Sequence, residues 1–470
     1  MPAREDHTKV LFLSLVLAGM AFALSQTVVS PALPEIQHKF NADPSSAAWI
    51  LTGYLLAASV ATPIVGKLGD LFGRGRVLTV VLLVFAVGSA VCALAGSLGV
   101  LVLGRVIQGA GGGIFPLAFG IIRETFPPER VPTAIGGISA TFGIGGGVGL
   151  VIAGPIVTGL GPSWLFWLGL MALPAAFAIY RYVPHEQTRP DARVDWVGAA
   201  LLSVSLAALL YGLSKTNDWG WGDARVLAFT LGGLAVGVLW VWVETKVQQP
   251  LVEMRVLRRR PVLMTNITAI LVGFSMFASF LLIPQLAQTP ERFGYGFGAS
   301  VTGAGLLMLP STIVMLVAGP FAGRLATRVN SRLPLVIGTG FGALAFIFYA
   351  VAHASEWEIC AGGALLGIGI GFSFASMANL VVESVPRDEV GVATGINTIM
   401  RSLGGALGAQ LVATLLTGKT IAGTPVPAEA AYTDAFIVAA VAAALAMAAA
   451  LAIPLPRRPQ AQPVTAPAAA

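Results

Sequence analysis

Two arginines lie within long apolar segments, where a charged side chain is costly. Arg105 shares one helix face with the residues three, four and seven positions further on, Gln108, Gly109 and Gly112. A guanidinium inside a membrane span costs about 2.5–3.5 kcal/mol on insertion scales, so it is expected to face a cavity or a partner. Arg105 is therefore a functional candidate, with an arginine that reaches back to the nearby interface as the alternative.

Arg401 lies in the middle of another apolar segment, too deep for its guanidinium to reach an interface cheaply. Asn397, Gly404, Gly405 and Gly408 form nearly one helical stripe with it. We regard Arg401 as the strongest single functional candidate. The alternative is a structural arginine bound to a backbone carbonyl.

Seven polar residues within apolar segments are candidates to line a substrate site. They are Ser25, Gln26, Asn266, Gln285, Asn379, Asn397 and Arg401. Each could instead join two helices by a hydrogen bond, since polar side chains also do this inside membranes.

The composition indicates whether water or lipid surrounds this chain. Of 470 residues, 56% are hydrophobic and only 11% are charged, against about 25% charged in soluble proteins. Fourteen apolar segments between residues 10 and 453 are each long enough for a span of about 20 residues. The sequence therefore predicts an all-α polytopic membrane protein with the lipid bilayer around it.

The basic residues predict the orientation. With the amino terminus inside, 21 of the 28 Lys and Arg residues fall in the inner segments, so both termini are expected in the cytoplasm. Because these charges are spread over eight short segments, they also argue against a nucleic-acid partner. Metal-ligand and paired-cysteine patterns do not occur. We therefore expect that the protein binds no metal or cofactor and is not an enzyme.

An internal repeat predicts two halves. Residues 63–68 and 320–325 share the pattern Pro-x-x-Gly-basic-Leu in the second and tenth apolar segments. Repeated halves are typical of secondary transporters, with the substrate site between them. We predict six-helix halves at 1–190 and 251–456, two inserted helices at 191–250, and a disordered cytoplasmic tail at 457–470.

The loop at residues 66–76 could act as a conformational latch. Its candidate residues are Gly66, Asp70, Gly73, Arg74 and Arg76. Asp70 could cap a neighbouring helix N-terminus, and the basic residues could pair with acids on an adjoining helix. A basic turn that only sets topology is the alternative.

A glycine-rich segment predicts close helix packing. Gly143 and Gly147 lie four residues apart, and Gly149, Gly154 and Pro155 follow. Small residues at this spacing let helix backbones approach closely.

Several of these motifs resemble those of one family. Residues 66–76 resemble the signature of the major facilitator superfamily, and residues 103–111 and 143–159 resemble the fourth- and fifth-helix motifs of its drug:proton antiporters. Together with residues 47–55 and 195–198, they point to the fourteen-helix drug-exporter branch. The resemblance implies a major facilitator fold: two six-helix halves with two inserted helices.

The resemblance also implies a function. It implies a monomeric exporter of drug-like or antibiotic small molecules in a bacterial cell membrane, working by alternating access in exchange for protons. Arg105 and Gln108 would belong to proton coupling. Ser25 stands where many members of the branch have Asp, and Leu150 stands where they have Pro. All 22 acids lie in loops or at helix ends, with Glu35 the leading candidate for the titratable group.

Two arginines without a carboxylate at the same depth would leave the cavity positive, so we expect neutral or anionic compounds to be handled better than lipophilic cations. The first alternative function is an uptake symporter for a metabolite on the same fold. The second is a membrane sensor or enzyme.

Overall fold

The computed structural model describes residues 2–29, 32–42, 44–183, 195–248, 250–386, 389–421, 423–424 and 426–454. Fourteen long helices account for most of them. They are α1 (Pro2–Thr27), α2 (Pro44–Phe72), α3 (Arg74–Ala93), α4 (Leu98–Gln108, a 3-10 turn at Gly109–Gly113, and Ile114–Thr125), α5 (Val131–Leu160), α6 (Trp164–Trp167, a 3-10 turn at Leu168–Met171, and Ala172–Tyr182), α7 (Trp196–Ser214), α8 (Ala224–Glu244), α9 (Arg260–Gln288), α10 (Val301–Arg328), α11 (Arg332–Val351), α12 (Glu356–Ser384), α13 (Val390–Gly418) and α14 (Glu429–Leu451).

These helices have the length that a bilayer demands. Among the described residues, thirteen helices are long and apolar enough to cross a membrane. The fourteenth, α5, has 30 residues, more than the ~20 that a span needs. The predicted all-α architecture of fourteen membrane helices is therefore confirmed.

The first helix ends earlier than its apolar segment predicts. The hydropathy pattern runs from residue 10 to residue 34, whereas α1 stops at Thr27. A separate short helix, Leu33–Phe40, follows and has Pro34 in its first turn. Proline suits a helix start because it lacks the N–H that a helix interior requires.

The helix ends form two faces. One, which we call the amino-terminal face, carries the start of α1 and the junctions α2–α3, α4–α5, α6–α7, α8–α9, α10–α11 and α12–α13. The other junctions lie on the opposite face. At the α2–α3 junction, Gly73 adopts φ +94°, a conformation that favours glycine, so the chain reverses there within one residue.

Contacts between the helices divide them into two groups, α1–α6 and α9–α14. Between these groups, α2 packs on α13 and α5 packs on α10. We call these contacts the α2–α13 seam and the α5–α10 seam. Each joins the second helix of one group to the fifth helix of the other, so the internal repeat relates the two seams.

The helices α7 and α8 pack on each other, and α7 also contacts both α2 and α13. An apolar cluster with Leu202 and Leu206 of α7, Trp240 of α8 and Ile396 of α13 fills this junction. The two additional helices therefore lie alongside the α2–α13 seam. The predicted boundary at residue 190 and the tail at 457–470 fall outside the described residues.

Candidate functional site

A cavity of about 420 Å³ lies between the two helix groups. Its walls come from the last turns of α1, the first two-thirds of α2, the middle of α4 and α10, the second half of α9, and the middle of α13. These positions place the cavity from mid-membrane toward the opposite face. Its volume falls within the ~300–1,000 Å³ typical of sites for small organic molecules.

The lining combines aromatic rings with a few polar groups. The aromatic residues are Phe22, Tyr54, Phe115, Phe277 and Phe280. The polar residues are Gln26, Thr27, Ser59, Thr62, Arg105, Thr398, Arg401 and Ser402. Among the described residues no Asp or Glu lines this cavity, so the only ionised groups in the lining are the two arginines.

Arg105 is held in a fully buried network. Its Nε donates to the carbonyl oxygen of Ile50 (3.0 Å), and its Nη1 donates to the carbonyl oxygen of Ser25 (3.0 Å) and to Oε1 of Gln108 (2.8 Å). The Gln108 amide in turn donates to Oγ of Ser89 (2.7 Å). The Tyr54 ring lies 4.0 Å from the guanidinium carbon. The structure thus brings the predicted pair Arg105 and Gln108 together at the cavity wall.

Arg401 is the second cation of the lining. It is nine-tenths buried, and its guanidinium carbon lies 4.3 Å from the centre of the Phe374 ring. Stacking on an aromatic face stabilises a desolvated guanidinium without neutralising it. Both arginines that the sequence singles out therefore line the same cavity.

On the amino-terminal face, Asp70 is the centre of a buried charge cluster. Its carboxylate, 1% exposed, lies 2.6 Å from Nη2 of Arg74, and Nη1 of Arg74 also contacts Glu124 of α4. The same carboxylate accepts from the N–H groups of Gly391 and Val392, both at 3.3 Å. These N–H groups lie in the first turn of α13, so Asp70 caps a helix of the other group.

Two further contacts close the same face. Arg123 at the end of α4 donates to the carbonyl oxygen of Val385 (3.0 Å). Asn379 of α12 donates to the carbonyl oxygen of Pro132 in α5 (3.3 Å). Together with the Asp70 cap they join the two helix groups between the cavity and the amino-terminal face. These contacts close the amino-terminal face.

Close backbone approach accompanies these bonds in both seams. A β-carbon at Gly66 would lie 2.6 Å from the carbonyl oxygen of Gly391, and one at Gly323 would lie 2.3 Å from that of Pro132. Of the remaining predicted latch residues, Gly73 forms the turn before α3 and Arg76 is exposed.

Five predicted substrate-site residues lie outside the cavity lining. Ser25 is buried beside it and contributes its backbone carbonyl to Arg105. Asn397 donates to Oδ1 of Asn266 (3.0 Å), joining α13 to α9. Asn379 joins α12 to α5, and Gln285 is exposed near the end of α9. Only Gln26 and Arg401 of the seven line the cavity.

Glu35, the predicted titratable group, also lies away from the cavity. It is exposed in the first turn of the short helix Leu33–Phe40 on the opposite face. Because Glu35 belongs to a surface helix, its side chain contacts solvent and does not line the cavity.

The glycine-rich part of α5 packs on two helices. A β-carbon at Gly149 would lie 2.3 Å from Oγ1 of Thr27 in α1, and one at Gly154 would lie 2.7 Å from Oγ1 of Thr302 in α10. Pro155 lies within α5 and is exposed. The surroundings of Gly143 and Gly147 fall outside the described residues.

Sequence reasoning missed the aromatic and hydroxyl residues of the lining. A signal for them exists on α2, where the lining residues Leu51, Tyr54, Leu55, Ala58, Ser59 and Thr62 follow the spacing of one helix face. On α13, Thr398, Arg401 and Ser402 lie at i, i+3 and i+4. Extending a helical stripe from each arginine would have found part of this set.

Comparison with known proteins agrees with this architecture. The family model described as Major Facilitator Superfamily matches residues 15–409 and 293–469. The tetracenomycin C resistance and export protein of Streptomyces glaucescens is 30% identical over 419 residues, which cover 87% of this chain and 76% of the relative. Multidrug resistance protein 3 of Bacillus subtilis (strain 168) is 28% identical over 423 residues, covering 88% and 81% of the two chains.

A solved structure with the same fold is that of the human organic anion transporter MFSD10. It covers 96% of this chain and 100% of its own, with a TM-score of 0.66 and 17% identity. This likeness concerns the fold alone. The family match over most of the sequence, the fourteen helices and the cavity between two helix groups lead to one conclusion: the chain belongs to the major facilitator superfamily and is a membrane transporter of small molecules rather than an enzyme.

Proposed function

We propose that this transporter exports amphipathic, drug-like or antibiotic small molecules across the membrane by alternating access. The observation that carries the proposal is the cavity between the helix groups, lined by aromatic rings and few polar atoms. Such a lining binds by apolar contact and tolerates varied shapes. Two relatives, a tetracenomycin C resistance and export protein and a multidrug resistance protein, support the same substrate class.

The transporter would lie in the bacterial cell membrane as a monomer with both termini in the cytoplasm. The excess of Lys and Arg in the segments of the amino-terminal face supports this orientation. The amino-terminal face is then cytoplasmic, and the closed cytoplasmic side together with a cavity nearer the outer side describes a substrate-releasing stage of export.

Alternation would require the amino-terminal face to open. The Asp70 cap on α13 and the bonds from Arg123 and Asn379 would break and form again once per cycle. Asp70, Arg74 and Glu124 would thereby bias the two states. The two additional helices, α7 and α8, would keep the side of the α2–α13 seam covered during this movement.

Protons would drive the exchange. Arg105 and Gln108, hydrogen-bonded to each other at the cavity wall, would take part in proton coupling. Glu35 stays the predicted titratable group. Its exposed position would let it equilibrate with the outer solution. The proton gradient itself is inferred from the antiporter motifs rather than from a buried carboxylate.

Transport in everted membrane vesicles tests the proposal. Export predicts that vesicles containing the chain accumulate a fluorescent aromatic compound when respiration acidifies their interior, and lose it when an uncoupler collapses the gradient. Vesicles with an empty expression vector are the control. Accumulation only in right-side-out vesicles would favour the uptake symporter, and accumulation insensitive to the uncoupler would contradict proton exchange.

A further inference from the structure

We propose that the cavity contains an anion subsite at Arg105, suited to the carboxylate or phenolate of an otherwise aromatic substrate. This inference rests on the proposed function, because it assigns a chemical class to the substrate of the same cavity.

Arg105 has hydrogen-bond donors without a partner among the described residues. A guanidinium has five N–H donors. Nε and the two donors of Nη1 are accounted for by the carbonyl oxygens of Ile50 and Ser25 and the amide oxygen of Gln108. Nη2 is buried and has no hydrogen-bond partner among the described residues. The two N–H groups of Nη2, on a residue of the cavity lining, therefore have no protein partner among the described residues.

The partners of Arg105 are neutral oxygens and the Tyr54 ring. An unsatisfied buried donor costs about 1–3 kcal/mol, and more when the group is charged. A buried cation is stabilised most effectively by an anion with good hydrogen-bond geometry. The network fixes the guanidinium in place and leaves Nη2 for the group that would complete it.

The rest of the cavity lining adds a second cation and aromatic surface. Arg401 contributes a second cation, and no described Asp or Glu lines the cavity. The field inside the cavity is therefore positive, which favours an anion and disfavours a cation of equal size. Phe22, Phe115 and Phe277 supply the apolar contact for an aromatic ring system.

Two dyes of similar ring size and opposite charge provide the test. Fluorescein is anionic at neutral pH, whereas rhodamine 6G is an esterified cation. Fluorescence anisotropy with the full-length protein in detergent gives the dissociation constant of each dye. We expect fluorescein to bind at least tenfold more tightly than rhodamine 6G, since one charge-assisted hydrogen bond corresponds to about 10–100-fold in affinity.

Variants then locate the effect. Arg105→Gln and, as a second variant that keeps the Arg105 network, Arg401→Gln are each expected to reduce the fluorescein-to-rhodamine ratio of affinities by about tenfold. Arg225→Gln is the matched control because Arg225 is an exposed arginine paired with Asp223 outside the cavity. A merely structural role would weaken both dyes together and leave the ratio unchanged.

The outcomes separate this inference from the proposed function. Equal binding of the dyes, preference for rhodamine 6G, or a ratio unchanged in a folded Arg105→Gln variant would overturn the anion subsite at Arg105. Uncoupler-sensitive export of rhodamine 6G would leave the exporter in place while contradicting the subsite. A charge preference in binding without export of either dye would support the subsite and contradict the exporter.

Discussion

The two seams between the helix groups are related by the internal repeat, yet among the described residues a carboxylate caps a helix across the α2–α13 seam alone. Gly66 and Gly323 occupy equivalent positions, and each lets the first turn of a fifth helix approach within van der Waals distance. Asp70 follows Gly66 by four residues and caps α13. At the equivalent position of the second half stands Thr327, whose hydroxyl donates to its own helix at the carbonyl oxygen of Arg324 (2.7 Å).

The helix starts explain this difference. In the first turn of α13 the N–H groups of Gly391 and Val392 donate to Asp70, and the N-cap residue of that helix, Glu389, gives no side-chain cap. The first turn of α5 contains Pro132, which has no N–H to donate. A carboxylate is therefore useful at one seam and has less to bind at the other. The repeat keeps the steric fit in both seams and the electrostatic cap in one.

The largest effect is expected from Asp70→Asn, which removes the charge at the α2–α13 seam and leaves Arg74 buried beside it. Hydrogen bonds to a charged group contribute about 1.5–3 kcal/mol each. We expect the closed state to lose about 2–3 kcal/mol, a factor of about 30–150 in the equilibrium. Export in everted vesicles should fall at least tenfold with unchanged amounts of protein in the membrane.

The control for this variant is Asp223→Asn, which neutralises a partly exposed carboxylate paired with the exposed Arg225. Surface pairs of this kind contribute about 0–1 kcal/mol, so export should stay near the wild-type rate. Normal export by the Asp70 variant would refute a role for the cap in the cycle.

The second prediction tests the close backbone approach that both seams share. Gly66→Ala and Gly323→Ala each place a methyl group against a backbone carbonyl of the other helix group. Overpacking costs about 1–3 kcal/mol, and we expect both variants to slow export to a similar extent. Gly232→Ala is the matched control, because nothing lies within 4 Å of its added carbon. A large effect at only one of the two seams would contradict their steric equivalence.

The third effect concerns the hydrogen bond between α12 and α5, beside the α5–α10 seam. Asn379→Leu removes the donor to the carbonyl oxygen of Pro132 while keeping a side chain of similar size. One neutral hydrogen bond contributes about 0.5–1.5 kcal/mol, so export should change by roughly threefold to tenfold. The measurement is the initial rate in vesicles, compared with that of the Asp70 variant. A loss as large as that of Asp70→Asn would show that the contact between α12 and α5 holds the closed state as strongly as the Asp70 cap.

The smallest effect is expected from Thr327→Asp, which copies the first seam into the second. Because Pro132 lacks an N–H, the new carboxylate should gain little, and the stability of the closed state should change by about 0.5 kcal/mol or less. The variant combined with Asp70→Asn should export no better than Asp70→Asn alone. Recovery of export in the double variant would show that a carboxylate at either seam suffices.

The sequence predicted the helices well because a membrane span needs a long apolar segment and each of the fourteen helices contains one. It also placed Arg105 and Gln108 on one face, since helical spacing depends only on residue number. It misjudged the end of α1 because apolar residues continue through the short surface helix that begins at Leu33.

The site was predicted less completely for a physical reason. A polar residue in a span can face a cavity or a neighbouring helix, and hydropathy is the same in both cases. Asn266 and Asn397 bind each other, and Asn379 binds across to Pro132. The cavity lining instead combines Phe, Tyr and hydroxyl residues with aliphatic ones, and their orientation depends on how the helices rotate against one another.

The most direct test of the account is the distance across the α2–α13 seam. Spin labels at Phe72 and Pro386, both exposed on the amino-terminal face, would be introduced into a chain with Cys92 and Cys360 replaced by Ala, in nanodiscs. Double electron–electron resonance should show mainly a short distance in the wild-type chain and in Asp223→Asn, and mainly a longer one in Asp70→Asn. An unchanged short distance in the Asp70 variant would contradict the claim that this carboxylate holds the two helix groups closed.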